Sequence, residues 1–145
     1  MSLNQGITYV KMVLFILVIV SAVFLAGCQT STQIASRACE VMKDPAKKAH
    51  CLQAVAIQGG ESSYCGDIQS SPETNCPKAR CYYEVALKTG DPEDCKGIGW
   101  EAAGCGYDDN LCIADVAVKF KDSNICEMIG AGGRITKEGC IKKVG

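Results

Sequence analysis

The side chains best able to do chemistry in this chain are its eleven cysteines and its single histidine. Ten of the cysteines lie beyond residue 38: Cys39, Cys51, Cys65, Cys76, Cys81, Cys95, Cys105, Cys112, Cys126 and Cys140. Such an even set suits either a metal centre or a disulfide framework. Structural zinc and iron–sulfur sites draw on C-x-x-C pairs, and the chain has none. His50 stands immediately before Cys51, which rules out a C-x-x-C-H haem attachment. Neighbours on a helix point about 100° apart, so a His50–Cys51 nucleophile is a poor geometry. Thiol–disulfide exchange would need a labile pair. Cys76 and Cys81 are the closest two in sequence, but they lack the usual two-residue spacing.

Other polar clusters lead no further. Asp91, Glu93 and Asp94 form an acidic knot, with Glu84 upstream and Asp108, Asp109 and Asp115 downstream. Helix capping accounts for the first three, and a calcium loop would want a sharp glycine turn among its oxygen ligands. Gly97, Gly99, Gly104 and Gly106 surround Trp100, and Gly130, Gly132 and Gly133 precede Arg134. No lysine followed by a hydroxyl accompanies either group, so neither is a phosphate loop. Tyr82, Tyr83, Trp100 and Tyr107 serve either as core or as a contact surface. No catalytic residue, metal ligand or cofactor site is expected, and the chain is not read as an enzyme.

The cysteines belong to a repeat. CLQAVAIQGGESSYCGDI (51–68), CYYEVALKTGDPEDCKGI (81–98) and CIADVAVKFKDSNICEMI (112–129) align without gaps as C-x3-V-A-x8-C-x2-I. Cys39 to Met42 matches the closing part of a unit, and Cys140 to Val144 the opening part. Cys76 and Cys105 fall in the linkers between units. A period near thirty residues marks an array of supersecondary units.

Each unit opens with a helix. Asp44-Pro45 is an N-cap followed by a first-turn proline, and Ala46 to Gln58 runs unbroken to Gly59-Gly60. Pro77 starts the second helix and Gly90 stops it. Asp108, Asp109 and Asn110 offer caps for the third, which has Phe120-Lys121 where the other two have glycine. The third helix is therefore expected to lack a left-handed C-cap residue. Valine and alanine at one spacing put an apolar stripe on each helix, with the alanines allowing close approach. Asp91-Pro92-Glu93-Asp94 begins a shorter second helix. Asp122-Ser123 and Glu61-Ser62-Ser63 do so less sharply. The expected fold is all-α, built of short disulfide-stapled helical-hairpin repeats, and no stretch alternates as a strand.

Two pairings fit this plan. One joins each closing cysteine to the next opening one: Cys39–Cys51, Cys65–Cys81, Cys95–Cys112 and Cys126–Cys140, with Cys76–Cys105 left over. The other joins Cys51–Cys65, Cys81–Cys95 and Cys112–Cys126 across the opposite turns. Either closes short loops worth about 3 kcal/mol each by chain entropy. That offsets a core poor in large apolar side chains.

The N-terminus has a different composition. Lys11 is the one charge before Met12 to Leu25 (MVLFILVIVSAVFL), a 14-residue run interrupted only by Ser21. As a helix the run would rise about 21 Å, against a hydrocarbon layer of ~30 Å. It has the length of a signal-peptide core. The sequence that follows, Leu25-Ala26-Gly27-Cys28, resembles the lipobox of bacterial lipoproteins, and some archaeal surface proteins resemble it too. The resemblance implies cleavage after Gly27 and a diacylglyceryl thioether on Cys28. Gln29, by resemblance to bacterial sorting rules, favours the outer membrane in a cell with two membranes. Two acyl chains anchor firmly.

The expected organisation is a signal peptide (1–27), a lipidated cysteine and polar tether (28–38), and a cysteine-rich repeat domain (39–145). Cleavage would leave 118 residues with 14 basic and 16 acidic side chains. With both signs interspersed and no basic stripe, nucleic acid is not an expected partner. Export places the ten remaining thiols where disulfides persist. The function expected is that of a membrane-anchored extracytoplasmic module of the outer membrane, periplasm or cell surface. It would be structural, or bind a protein or glycan partner. An exported enzyme, an enzyme inhibitor or a thiol–disulfide exchange protein is the alternative.

Overall fold

In the computed structural model, five helices begin where an oxygen-bearing side chain covers the first unpaired amides. The structure describes residues 31–71, 74–99 and 104–145. The apolar run, Cys28, Gln29 and Trp100 lie outside the described residues. The chain divides into two units, Met1–Ala35 and Ser36–Gly145. In the first, residues 31–35 are described and are helical.

Residues 31–40 are helical throughout (α1), where a tether was expected as far as residue 38. The segment contains no proline or glycine. Ser36 and Cys39, three apart, are buried, and the Cys39–Cys51 bridge ties its end to the next helix. Polar composition alone concealed that one buried face.

α2 spans Pro45–Gly59, and the Asp44 carboxylate accepts from the amides of Ala46 and Lys47 at 3.0 and 3.1 Å. A single turn, α3 (Ser63–Gly66), closes the first unit. α4 spans Asn75–Thr89 and so begins two residues before Pro77. α5 spans Asp109–Phe120 and is capped by Asp108, which accepts from the Leu111 amide at 3.0 Å. α6 spans Lys137–Val144, with Thr136 accepting from the Gly139 amide. The closing helices of the second and third units are 3-10 helices, η1 (Pro92–Gly97) and η2 (Ser123–Met128). Asp91 and Asp122 cap them through the amides of Glu93 and Asn124, each at 2.9 Å. The protein is all-α, and among the described residues there is no strand. None of their helices is long and apolar enough to cross a membrane.

α2, α4 and α5 run side by side in the same direction. Their C-terminal ends are adjacent: Gly60 lies against Thr89, and Gly90 against the ring of Phe120. Gly60 and Gly90 end their helices with φ of 69° and 81°. Lys121 does the same for α5 with φ of 55°. The left-handed C-cap expected to be missing is therefore present, formed by a lysine. The amide of Lys121 still closes onto the last turn, and that geometry outweighs the crowding of its Cβ.

The repeat positions form the core. Ala56, Ala86 and Ala117 are fully buried, as are Val85 and Val116, and Val55 nearly so. Three apolar clusters follow one another along the array, the first around Leu52 and Ile68, the second around Ile98 and Ile113, the third around Ala114 and Ala117. Tyr82 packs against both the first and the second. Met42, matched to the closing isoleucine, is exposed, whereas Ile68 and Ile98 are buried.

The bridges are Cys39–Cys51, Cys65–Cys81, Cys76–Cys105, Cys95–Cys112 and Cys126–Cys140, with Cα–Cα distances of 5.4 to 5.7 Å. Four of these join each closing cysteine to the next opening one, and Cys76–Cys105 is the pair left over. Each of those four bridges carries the chain from one unit to the next and lies in an apolar cluster.

Candidate functional site

The acidic residues that drew attention in the sequence are dispersed among structural tasks. Glu93 pairs with Lys96, whose ammonium donates to both carboxylate oxygens at 2.9 and 2.7 Å. Asp94 accepts from the Thr89 hydroxyl at 3.3 Å, and Glu84 pairs with Arg80 at 3.6 Å. Among the described residues, no group of three His, Cys, Asp or Glu side chains is placed to hold a metal ion. His50 is exposed, with Nδ1 3.4 Å from the Gln53 side-chain oxygen, and Cys51 beside it is in a bridge.

Tyr83 and Tyr107 do come together. Their ring centroids are 5.4 Å apart with planes tilted by 58°, within the range of favourable aromatic contact. The Tyr83 hydroxyl donates to Asp115 on α5 at 2.7 Å. Burial, the Asp115 hydrogen bond and the nearby carboxylate charges push the Tyr83 phenol well above its ordinary range. Both tyrosines are half-buried, so they pack α4 against the segment leading into α5 while each stays partly accessible.

Tyr107 opens onto a hollow of about 320 Å³, rimmed by Lys96, Asp108, Asp109, Asn110 and the Gly130–Gly133 loop. The loop is held by Asn110. This 4 %-exposed side chain donates through Nδ2 to the Gly130 carbonyl and accepts from the Gly130 amide, each at 3.0 Å. A Cβ at Gly133 would come within 2.0 Å of Asn110 Nδ2, so only glycine fits there. The sequence offers Asn110 as a cap alongside Asp108 and Asp109. The cap is Asp108, and Asn110 reaches twenty residues along the chain to fix a loop. Its asparagine-and-glycine partners carry no local signature, which is why sequence reasoning missed the clamp.

A second hollow, about 180 Å³, lies at the N-terminal end of α2. Its floor is apolar (Ala49, Leu52, Ile68) and its rim polar (Lys48, Asp67, Ser70). Thr74 at its edge is buried, and its hydroxyl bonds to the Ser71 hydroxyl at 2.9 Å and to the Gln69 carbonyl.

The first hollow combines an aromatic edge, two carboxylates, an ammonium and main-chain groups at one rim. That set suits hydrogen bonding and stacking with a polar partner. No protein-family model matches this chain, and neither a curated protein nor a solved structure matches it.

Proposed function

We propose that this is a membrane-anchored extracytoplasmic lipoprotein whose disulfide-stapled all-α domain is a non-enzymatic structural or binding module. One observation carries the anchoring half. The ten cysteines beyond residue 38 pair among themselves, so Cys28 has no thiol partner left in its own chain. It stands at the end of Leu25-Ala26-Gly27-Cys28, behind an apolar run. A thiol reserved from the framework and placed in a lipobox-like setting is suited to acylation. The five bridges belong with an oxidising address outside the cytoplasm.

The binding half is supported by the hollow at Tyr107. A half-buried ring beside Asp108, Asp109 and Lys96 offers the stacking face and paired hydrogen-bonding groups that a glycan or a polar protein loop requires.

Intact-mass measurement of the chain purified from membranes tests the anchor. The expected product begins at Cys28 and carries a diacylglyceryl group, and Cys28→Ser abolishes both. An uncleaved chain with unmodified Cys28 would overturn the reading. Tyr107→Ala, with the anchor intact, is expected to lose partners that co-purify with the native protein.

A further inference from the structure

Four of the five bridges are built into the core and one is not. Cys39, Cys65, Cys81, Cys95, Cys112, Cys126 and Cys140 are each 0 % exposed, so every inter-unit bridge has at least one sulfur-bearing residue sealed inside an apolar cluster. The fifth bridge, Cys76–Cys105, belongs to none of these clusters. Cys76 is exposed and Cys105 half-buried. It also stands outside the repeat, in the linkers. Thiol–disulfide exchange requires a thiolate to reach a sulfur, and only this bridge offers both of its residues to solvent.

We propose that Cys76–Cys105 is a thiol–disulfide exchange site that accepts two electrons from a partner dithiol, while the other four bridges hold the fold. A partner thiolate attacks the sulfur of Cys76, the more exposed residue of the pair. The Cys76–Cys105 bond breaks, the electron pair leaves on Cys105, and a mixed disulfide joins Cys76 to the partner. The partner's second thiolate then attacks its own sulfur in that mixed bond and releases Cys76. The partner ends as a disulfide, and its two protons end on Cys76 and Cys105. The second leaving group is well placed: Cys76 is the second residue of α4, whose first turn carries no acidic side chain, and a helix N-terminus favours a thiolate.

The scaffold keeps the opened pair competent to close. Cys65–Cys81 holds the middle of α4, and Cys95–Cys112 holds the start of α5. Tyr107, two residues after Cys105, stays against Tyr83 on α4. The two thiols therefore remain neighbours after reduction. This inference is independent of whether Cys28 carries lipid.

The test is graded dithiothreitol on the oxidised protein, with alkylation and peptide mass mapping at each step. Cys76 and Cys105 are expected to become alkylated at least about tenfold faster than any other pair, with the helical circular dichroism unchanged. Opening of another pair first, or of all five together, would overturn the proposal. The Cys76→Ser/Cys105→Ser double variant keeps the four core bridges. It is expected to release no thiol under the conditions that open the native site, and thiol release from it at the native rate would also overturn the proposal.

Discussion

The ammonium of Lys88 donates to the main-chain oxygens of Ile57 and Gln58, at 2.8 and 2.6 Å, across thirty-one and thirty residues of chain. Lys119 repeats the arrangement one unit later, donating to the Leu87 carbonyl at 2.5 Å. Both lysines are the eighth residue of their unit, counted from the opening cysteine. Each covers carbonyls left open at the end of the preceding helix, where the dipole favours a cation. Lys88→Met keeps the aliphatic stem and removes the donor. It is expected to lower stability by roughly 0.5–1.5 kcal/mol, read as a shifted urea midpoint with the disulfides intact.

Lys121 occupies a backbone conformation that glycine holds at Gly60 and Gly90. A Cβ in that region is crowded by the following carbonyl. Lys121→Gly is therefore expected to stabilise the protein by about 0.5–1 kcal/mol. Thermal unfolding of the oxidised variant checks the sign.

Tyr82 lies flat against Gly97, where a Cβ would fall 2.3 Å from the ring. Gly97→Ala must move a side chain that joins two core clusters, and the expected loss is about 1–3 kcal/mol. Gly104→Ala is the matched control. Nothing lies within 4 Å of its Cβ position, and its effect is expected within about 0.5 kcal/mol. Denaturation of the two variants side by side separates crowding by the Tyr82 ring from a general intolerance of alanine at glycine positions.

Tyr83 ties stability to alkaline pH. Burial first, then the Asp115 hydrogen bond and carboxylate charge, hold its phenol above the ordinary 10.0. Tyr82 is shifted the same way, by burial and by Asp94 and Asp67. A pKa raised by folding means the native state keeps its proton while the unfolded chain loses it. This contribution is complete below pH 10.0 and is lost as pH rises above it. Unfolding midpoints are expected to fall over that window. In Tyr83→Phe the fall should be shallower, and the variant should already be weaker by about 1 kcal/mol at neutral pH.

Much of this architecture was legible because its signals are local. Asp44-Pro45, Asp91-Pro92, Gly60 and Gly90 announce helix ends within a few residues, and the cysteine spacing announces the hairpins. The 3-10 geometry of η1 and η2 was not legible, since capping residues mark a start without fixing the winding. The Asn110 clamp and the Lys88 and Lys119 contacts were hidden for a different reason. They depend on which distant carbonyl the fold brings into reach, and an exposed lysine in sequence looks solvated. The recurrence of lysine at one repeat position was the available signal. The helix at 31–40 was missed because Ser36 and Cys39 bury one face of a segment whose composition is polar.

The order of the bridges along the chain divides it in an uneven way. Cys65–Cys81, Cys76–Cys105 and Cys95–Cys112 overlap in sequence, so a protease that nicks the backbone once anywhere from Cys65 to Cys112 leaves one covalent molecule. No bridge spans the stretches from Cys51 to Cys65 or from Cys112 to Cys126. There the strand of peptide is the only link, and most of it is wound into α2 and α5. The unwound, exposed residues in those stretches, such as Glu61 and Lys121, are where a single cut would leave two pieces with no covalent link between them.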